Sequence, residues 1–248
     1  MTSVSSAEPN GQPSRRIYSS LVPYIAPPIA ASSAVTLVFY GFIAKSAQQL
    51  GNPIPRMGMK TALLEGCKAA PTIGVIIGTQ MGAQKVAETA LTPLMKRSGE
   101  IPSFAPMFVS SMIVGALSAP ALAVFNGQSM GQTVGKSLKL LNAKQTCAIV
   151  ARETSFLFSI RVSEPVSEFM KHSCGDNKAV ELGSTFATGA IGSLIGHPAD
   201  TALTLWQKGR KVENFRQMMR GGPMKAATVG VFSIFYKMAK ECIESTSK

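Results

Sequence analysis

The chain has 248 residues, of which 46% are hydrophobic and only 15% are charged, and its formal net charge is +12. Soluble domains average about 25% charged residues, so this composition argues against an ordinary soluble protein. No Ser/His/Asp, Cys/His or phosphate-loop arrangement indicates a soluble enzyme. The basic residues stand in short segments between apolar stretches, which favours contact with anionic lipid headgroups over contact with nucleic acid.

The amino terminus, residues 1–18, is predicted to be a disordered tail. Ser, Pro and Gly are frequent there, and neither a signal-peptide core nor an Arg-rich transit pattern is present. Four cysteines without CxxC spacing and only two histidines predict free thiols, with no metal site and no cofactor. Residues 19–248 are predicted to form one transmembrane domain.

Three long stretches of the chain carry no charge. They lie between Arg16 and Lys45, between Glu100 and Lys136, and between Glu181 and Asp200. Since about 20 residues of helix span a bilayer, each stretch predicts a membrane helix. Gly115, Gly189 and Gly192 within two of these stretches predict close helix–helix contacts. The alternative is three helices buried inside a large soluble protein.

The chain is predicted to contain six helices in three tandem hairpins. In chain order they cover residues 19–49, 59–86, 105–132, 142–170, 180–207 and 223–243, and the repeats cover approximately residues 19–99, 100–175 and 176–248. The second helix of each hairpin carries basic residues, and a central Lys or Arg costs about 2.5–3.5 kcal/mol in a bilayer. A Lys or Arg avoids this cost where its side chain faces a water-filled cavity lined by the other repeats.

An internal repeat supports this division. Three segments align without gaps at their first, third, sixth and tenth positions: residues 40–49, 123–132 and 198–207. The tenth position is a glutamine each time, at Gln49, Gln132 and Gln207. A basic residue follows after 18 to 20 positions each time, at Lys68, Arg152 and Lys225. A period of this kind determines the architecture before any local assignment.

The third repeat resembles a known family. Its carrying segment is residues 197–207, with the sequence His-Pro-Ala-Asp-Thr-Ala-Leu-Thr-Leu-Trp-Gln. This segment is similar to the signature of the mitochondrial carrier family, which is Pro-x-Asp/Glu-x-x-Lys/Arg followed four residues later by Gln. Residues 220–225, Arg-Gly-Gly-Pro-Met-Lys, resemble the start of that family's last helix. The resemblance covers about residues 22–243.

The resemblance implies an all-α membrane protein, with six transmembrane helices in a pseudo-threefold barrel. It implies the inner mitochondrial membrane, with the outer membrane as the alternative, and both termini on the cytosolic side. A proline in each signature kinks the helix, but Tyr40 and Ala123 stand at two of the three proline positions here. The interval between each glutamine and the following basic residue is also short, and it predicts that the family's matrix helices are absent.

The family closes its cavity towards the matrix with ion pairs between repeats, each braced by the signature glutamine. By resemblance, Asp200 pairs with Lys45, whereas Phe42 and Phe125 replace the other two acids. Exchanging the charges of Lys45 and Asp200 is then expected to retain more function than either single change. The alternative is that the two charges lie at the interface and never meet, and that the glutamines are ordinary helix-end polar residues.

Threefold symmetry would direct Lys68, Arg152 and Lys225 to one axis, where converging cations favour an anion. Alternatively, these side chains extend to the lipid headgroups. By resemblance, the contacts with the substrate include Lys68 and Lys225, together with Cys147 and Ala148 on the fourth helix. The resemblance also implies a cytosolic gate, for which Glu164 and Lys240 are the available pair.

Two functions follow. The first is a transporter of a small anionic metabolite that works by alternating access, with anionic lipid headgroups around it. The second is a degenerate carrier-fold protein without transport activity, in the outer membrane or as a scaffold or subunit of a membrane complex.

Overall fold

The computed structural model describes residues 13–96, 104–129 and 132–246, and within these ranges the chain is helical with no strand. In chain order the helices are α1 (Pro13–Gln49), α2 (Met59–Lys96), α3 (Ala105–Ser129), α4 (Val134–Leu140), α5 (Ala143–Cys174), α6 (Lys178–Ile195), α7 (His197–Gln207), α8 (Phe215–Met218) and α9 (Gly222–Ser245).

The predicted helix ends are largely confirmed, with four corrections. Helix α3 ends at Ser129, so the predicted end at Gln132 lies outside it. Helix α1 ends at Gln49 and α2 begins at Met59, as predicted, but α2 continues to Lys96 and therefore includes part of the predicted linker. Helix α5 likewise continues to Cys174. Helix α1 begins at Pro13, so residues 13–18 of the predicted tail are helical, and residues 1–12 lie outside the described ranges.

Short helices occupy two of the three intervals that were predicted to have none. Helix α4 has seven residues, and its N-cap Thr133 accepts a hydrogen bond from the Lys136 backbone N–H at 3.3 Å. Helix α8 has four residues and is capped by Asn214. The connections accommodate them because residues 130–142 and 208–221 are longer than the first connection, residues 50–58, and leave room for one or two turns.

The fifth long helical unit is broken where the signature proline lies. Helix α6 ends at Ile195, Gly196 serves as its C-cap, and α7 begins with Pro198 in its first turn. Proline has no N–H to donate and fits the first turn of a helix, so the break falls just before it. Helix α1 continues through Tyr40, and α3 continues through Pro120.

Six long helical units form a closed ring. Each packs against the units before and after it in sequence, in the order α1, α2, α3, α5, α6–α7 and α9, and α9 then packs against α1. Neighbours are antiparallel: Gly66 lies against Thr36 and Gly74 against Pro28, while Gly221 lies against Lys45.

Small residues allow the close helix–helix contacts that were predicted. Gly189 lies against Ser233 of α9, Gly192 lies against Ser159 of α5, and Gly115 lies against Glu153. A side chain at any of these glycines would meet the neighbouring helix. Close backbone approach of this kind stabilises helix pairs in lipid, where no hydrophobic drive operates between helices.

Three helices in the described ranges are long and apolar enough to cross a membrane, over Tyr24–Gln49, Met59–Met95 and Ala105–Gly127. The chain is therefore a membrane-embedded protein. Six spans were predicted, but α5 carries several charged residues and the fifth unit is divided between α6 and α7. Each of the six units nevertheless exposes a large apolar side chain on the outside of the ring: Leu37, Val75, Leu117, Phe169, Ile191 and Met238.

Candidate functional site

A cavity of about 410 Å³ lies inside the ring and is lined by residues from all six long helical units. Its charged lining residues are Lys45, Glu65, Arg152, Glu153, Asp200 and Lys225, and the charge of Glu65 is balanced by its ion pair with Lys68. Its apolar lining includes five phenylalanines, namely Phe39, Phe42, Phe125, Phe156 and Phe232. The ring therefore surrounds one internal site with both charged and aromatic walls.

Asp200 is the centre of the charged part. Its side chain is only 2% exposed and accepts contacts from three cations on three helices. Lys45 Nζ of α1 lies 2.8 Å from Oδ2, Lys225 Nζ of α9 lies 3.3 Å from Oδ2, and Arg152 Nη1 of α5 lies 3.2 Å from Oδ1. The predicted contact between Lys45 and Asp200 is therefore present, within a larger cluster.

A second carboxylate, Glu153, completes this charged cluster. Arg152 Nε lies 2.8 Å from Glu153 Oε1, and Gln80 Nε2 donates a hydrogen bond to Glu153 Oε2 at 3.3 Å. Three cations and two carboxylates leave the cluster with a net charge of +1. Glu153 was not predicted to be part of the site. The available signal was a carboxylate directly beside a basic residue in a predicted membrane helix.

The three signature glutamines lie in one polar layer beside Asp200. Gln49 Nε2 donates to Asp200 Oδ2 at 2.9 Å and to Thr201 Oγ1 at 3.0 Å. Gln207 Nε2 donates to the carbonyl of Ala123 at 3.1 Å, and Gln132 Nε2 donates to the carbonyl of Gln207 at 2.6 Å. These bonds join α1, α3 and α7 at the end of the ring where those helices finish, which we call the network end.

Lys68 does not join the charged cluster, so that prediction is wrong. Its side chain is 63% exposed and pairs with Glu65 at 2.7 Å. Gly66 lies against α1 and Ala70 is buried, and a helix turns by about 100° per residue. Residue 68 therefore lies about 200° from each of them and points outward. The third cation of the cluster, beside Arg152 and Lys225, is Lys45.

Cys147 and Ala148 do not line the cavity, so their predicted role as substrate contacts is not supported by their placement. Cys147 is exposed, and Ala148 is buried in an apolar cluster between α3 and α5 that includes Leu122 and Ala123. The packing of α5 on α3 turns Arg152, Glu153 and Phe156 towards the interior instead.

The proposed gate pair of Glu164 and Lys240 is also not formed. Glu164 is exposed, Lys240 lies 3.7 Å from Glu244 on its own helix, and no contact within the described ranges joins Glu164 to Lys240. Other ion pairs tie the helices together at this opposite end, which we call the terminal end because α9 finishes there.

The ion pairs of the terminal end connect α2, α5, α6 and α9. Arg161 pairs with Glu88, and Glu181 accepts contacts from Lys237 at 2.7 Å and Lys171 at 3.3 Å. Lys178 Nζ lies 2.9 Å from a carboxylate oxygen of Glu241.

Within the described ranges, no group of three or more His, Cys, Asp or Glu side chains could hold a metal ion. All four cysteines are free and exposed. No protein-family model and no curated protein matches this sequence.

Proposed function

We propose that the protein is a carrier-type transporter that moves a small anionic metabolite across a membrane by alternating access. The observation that carries this proposal is one cavity lined by all six long helical units, with a charged cluster of net charge +1. An internal cationic site of this kind attracts an anion most strongly where the surrounding dielectric is low.

We further propose that the six helical units are six membrane spans related by pseudo-threefold symmetry. They pair as three hairpins, α1 with α2, α3 with α5, and α6–α7 with α9. In this arrangement the polar residues of α5, α7 and α9 face the cavity or the two ends of the ring. The resemblance to mitochondrial carriers supports a mitochondrial inner membrane location, with both termini on the cytosolic side and anionic headgroups around the ring.

The network end would act as one gate. The contacts from Lys45 and Gln49 to Asp200, and from Gln207 to the carbonyl of Ala123, hold α1, α3 and α7 together. An anion that contacts Arg152 and Lys225 would compete with Asp200 for those cations. Substrate binding would thereby weaken the contacts that keep this end together, which is the differential interaction that a conformational change requires.

The test is uptake by proteoliposomes that contain the full chain. A panel of labelled metabolite anions should include at least one that is taken up, and Lys225→Ala should abolish that uptake. Lys60→Ala is the matched control, because this lysine is exposed near the start of α2 and does not line the cavity. Absence of uptake for the whole panel would contradict the transport proposal.

A second function is favoured by one observation. Each of the three cations in the charged cluster already contacts Asp200, which suits a static scaffold that never opens. Such a protein would reside in the outer membrane or serve as a subunit of a membrane complex. It would show no uptake, and it would migrate in native gels of solubilised membranes as part of a larger complex.

A further inference from the structure

The cavity has two chemically different parts. On α1, Lys45 is followed towards the terminal end by Phe42 and Phe39, and on α9 Lys225 is followed in the same direction by Phe232. A helix rises about 1.5 Å per residue, so Phe232 lies about 10 Å beyond Lys225 along the axis. Phe42 and Phe125 occupy the repeat positions that match Asp200, so the aromatic groups extend from the level of the charged groups towards the terminal end.

The aromatic part suits an apolar ligand surface. Phe156 and Phe232 lie with ring centroids 6.2 Å apart, and Ile73 and Ile77 of α2 pack in the same apolar cluster. Phe232 is only 1% exposed, so a ligand would contact the half-buried rings of this cluster, namely Phe39, Phe42, Phe125 and Phe156. A polar ligand placed there would give up hydrogen bonds to water and gain none in return. Apolar walls with a few converging polar groups are the usual form of a small-molecule site.

The charged part suits a single negative charge. All three cations already contact Asp200, and the net charge of the cluster is only +1. A ligand with two or three negative charges would be repelled by Asp200 and Glu153 at low dielectric. Lys225 contacts one acceptor, Asp200, within the described ranges, and an ammonium group has three donors.

Gln80 provides an independent sign that the cavity is built for a ligand. Its side chain lines the cavity and is only 2% exposed, and its Oε1 has no hydrogen-bond partner within the described ranges. Its Nε2 is engaged by Glu153. Buried acceptors are nearly always paired, so this oxygen lacks a donor, and a ligand hydroxyl group would supply one by displacing the atoms that cover the oxygen.

We propose that the cavity binds an amphipathic monoanion, with its anionic group at Arg152 and Lys225 and an apolar body of aromatic size against the phenylalanines. A hydroxyl group next to the anionic group would reach the Gln80 oxygen. This inference deepens the proposed function and rests on it for the transport step. Binding itself can be measured without transport.

The experiment measures the binding of four probes to the full chain in nanodiscs by calorimetry. The probe 3-phenyllactate has the charge, the hydroxyl group and the apolar body. Lactate lacks the ring, 3-phenyllactamide lacks the charge, and inorganic phosphate has neither the apolar body nor a single fixed charge. We expect 3-phenyllactate to bind about tenfold or more tightly than each of the other three probes.

Two variants separate the parts of the site. Lys225→Gln should weaken 3-phenyllactate binding about tenfold, the order of a lost charged hydrogen bond, and leave 3-phenyllactamide binding unchanged. Phe42→Ala should weaken 3-phenyllactate binding and leave lactate binding unchanged. Lys60→Gln on the exposed start of α2 is the control and should change neither. Elution of each variant as a monodisperse peak verifies its fold.

The outcomes distinguish this inference from the proposed function. Phosphate or lactate binding as tightly as 3-phenyllactate would overturn the inference, whatever the uptake assay shows. No binding of any probe would overturn it as well. Binding of 3-phenyllactate in the expected order, without uptake of any anion by proteoliposomes, would support the inference and contradict the transporter.

Discussion

Lys45 of α1 and Asp200 of α7 form an ion pair inside the ring, 155 positions apart in the sequence, with Nζ 2.8 Å from Oδ2. Lys45 is 6% exposed and Asp200 is 2% exposed. The same carboxylate also contacts Arg152 and Lys225. One aspartate therefore holds cations from α1, α5 and α9, and its removal would leave all three facing each other.

We expect Asp200→Asn to destabilise the protein strongly. Removal of one member of a buried ion pair costs about 3–5 kcal/mol, because the remaining charge stays buried without compensation. The free energy of unfolding in detergent micelles, measured by denaturant titration, tests this. Glu65→Gln breaks an exposed ion pair with Lys68 and should cost less than about 1 kcal/mol. Equal losses for the two variants would contradict the central role of Asp200.

The structure changes the expected effect of exchanging the charges of Lys45 and Asp200. From the sequence, the double variant Lys45→Asp with Asp200→Lys was expected to retain more function than either single change. In the structure, a lysine at position 200 would face Arg152 and Lys225, and like charges at low dielectric repel. The double variant should therefore unfold as easily as Asp200→Lys alone in thermal denaturation. Recovery to the stability of the unchanged protein would show that the pair acts in isolation.

The contact between α1 and α2 gives a steric prediction. A methyl group at Gly66 would meet the backbone of Thr36, with the Cα atom at 3.0 Å and the carbonyl carbon at 3.1 Å. Gly66→Ala should therefore separate the two helices and cost about 1–3 kcal/mol in unfolding free energy, as overpacking does.

Gly82→Ala is the matched control on the same helix, since nothing lies within 4 Å of the added group. It should leave the free energy of unfolding unchanged or raise it by up to about 1 kcal/mol, because alanine favours a helix. Equal effects of the two substitutions would mean that α1 and α2 are not in close contact at Gly66.

The distribution of charge predicts the orientation in the membrane. The segments at the network end, residues 50–60, 132–144 and 208–222, contain ten basic residues and one acid. Segments rich in Lys and Arg stay on the inner side of a membrane. We therefore expect the network end to face the matrix if the protein occupies the inner membrane.

Labelling with a membrane-impermeant maleimide measures this orientation. Cys174 is exposed near the end of α5 on the terminal side, and Asn52→Cys would place a thiol in the exposed connection at the network end. In mitochondria without an outer membrane, a variant with Cys174 alone should react at once. The variant with the thiol at position 52 alone should react only after detergent is added, and the reverse order would contradict the proposed orientation.

Much of the fold follows from local sequence. The uncharged stretches and the glutamines at their ends locate α1 and α7, and Met59 and Ala105 begin α2 and α3 as predicted. These features are local, since hydrophobic length and breaking residues act within one helix. The later ends of α2 and α5 and the presence of α4 were missed, because helices extend past the apolar stretch wherever packing and caps support them.

The charged cluster was only half predictable. The repeat identified Lys45, Asp200 and the three glutamines, whose contacts connect α1, α3 and α7. The repeat also predicted that Lys68 lies beside Arg152 and Lys225. That placement would require α2, α5 and α9 to have the same rotation about their axes. The sequence repeat does not impose equal rotation.

The sequence by itself therefore determined the helices, their order and the ion pair between Lys45 and Asp200. Only the tertiary structure decided which faces of the helices point inward. Gly66 brings α2 against α1 and turns Lys68 outward, while the packing of α5 on α3 turns Glu153 into the cavity. The physical reason is that the rotation of a helix is set by the fit of its small residues against its neighbours. That fit depends on both partners at once.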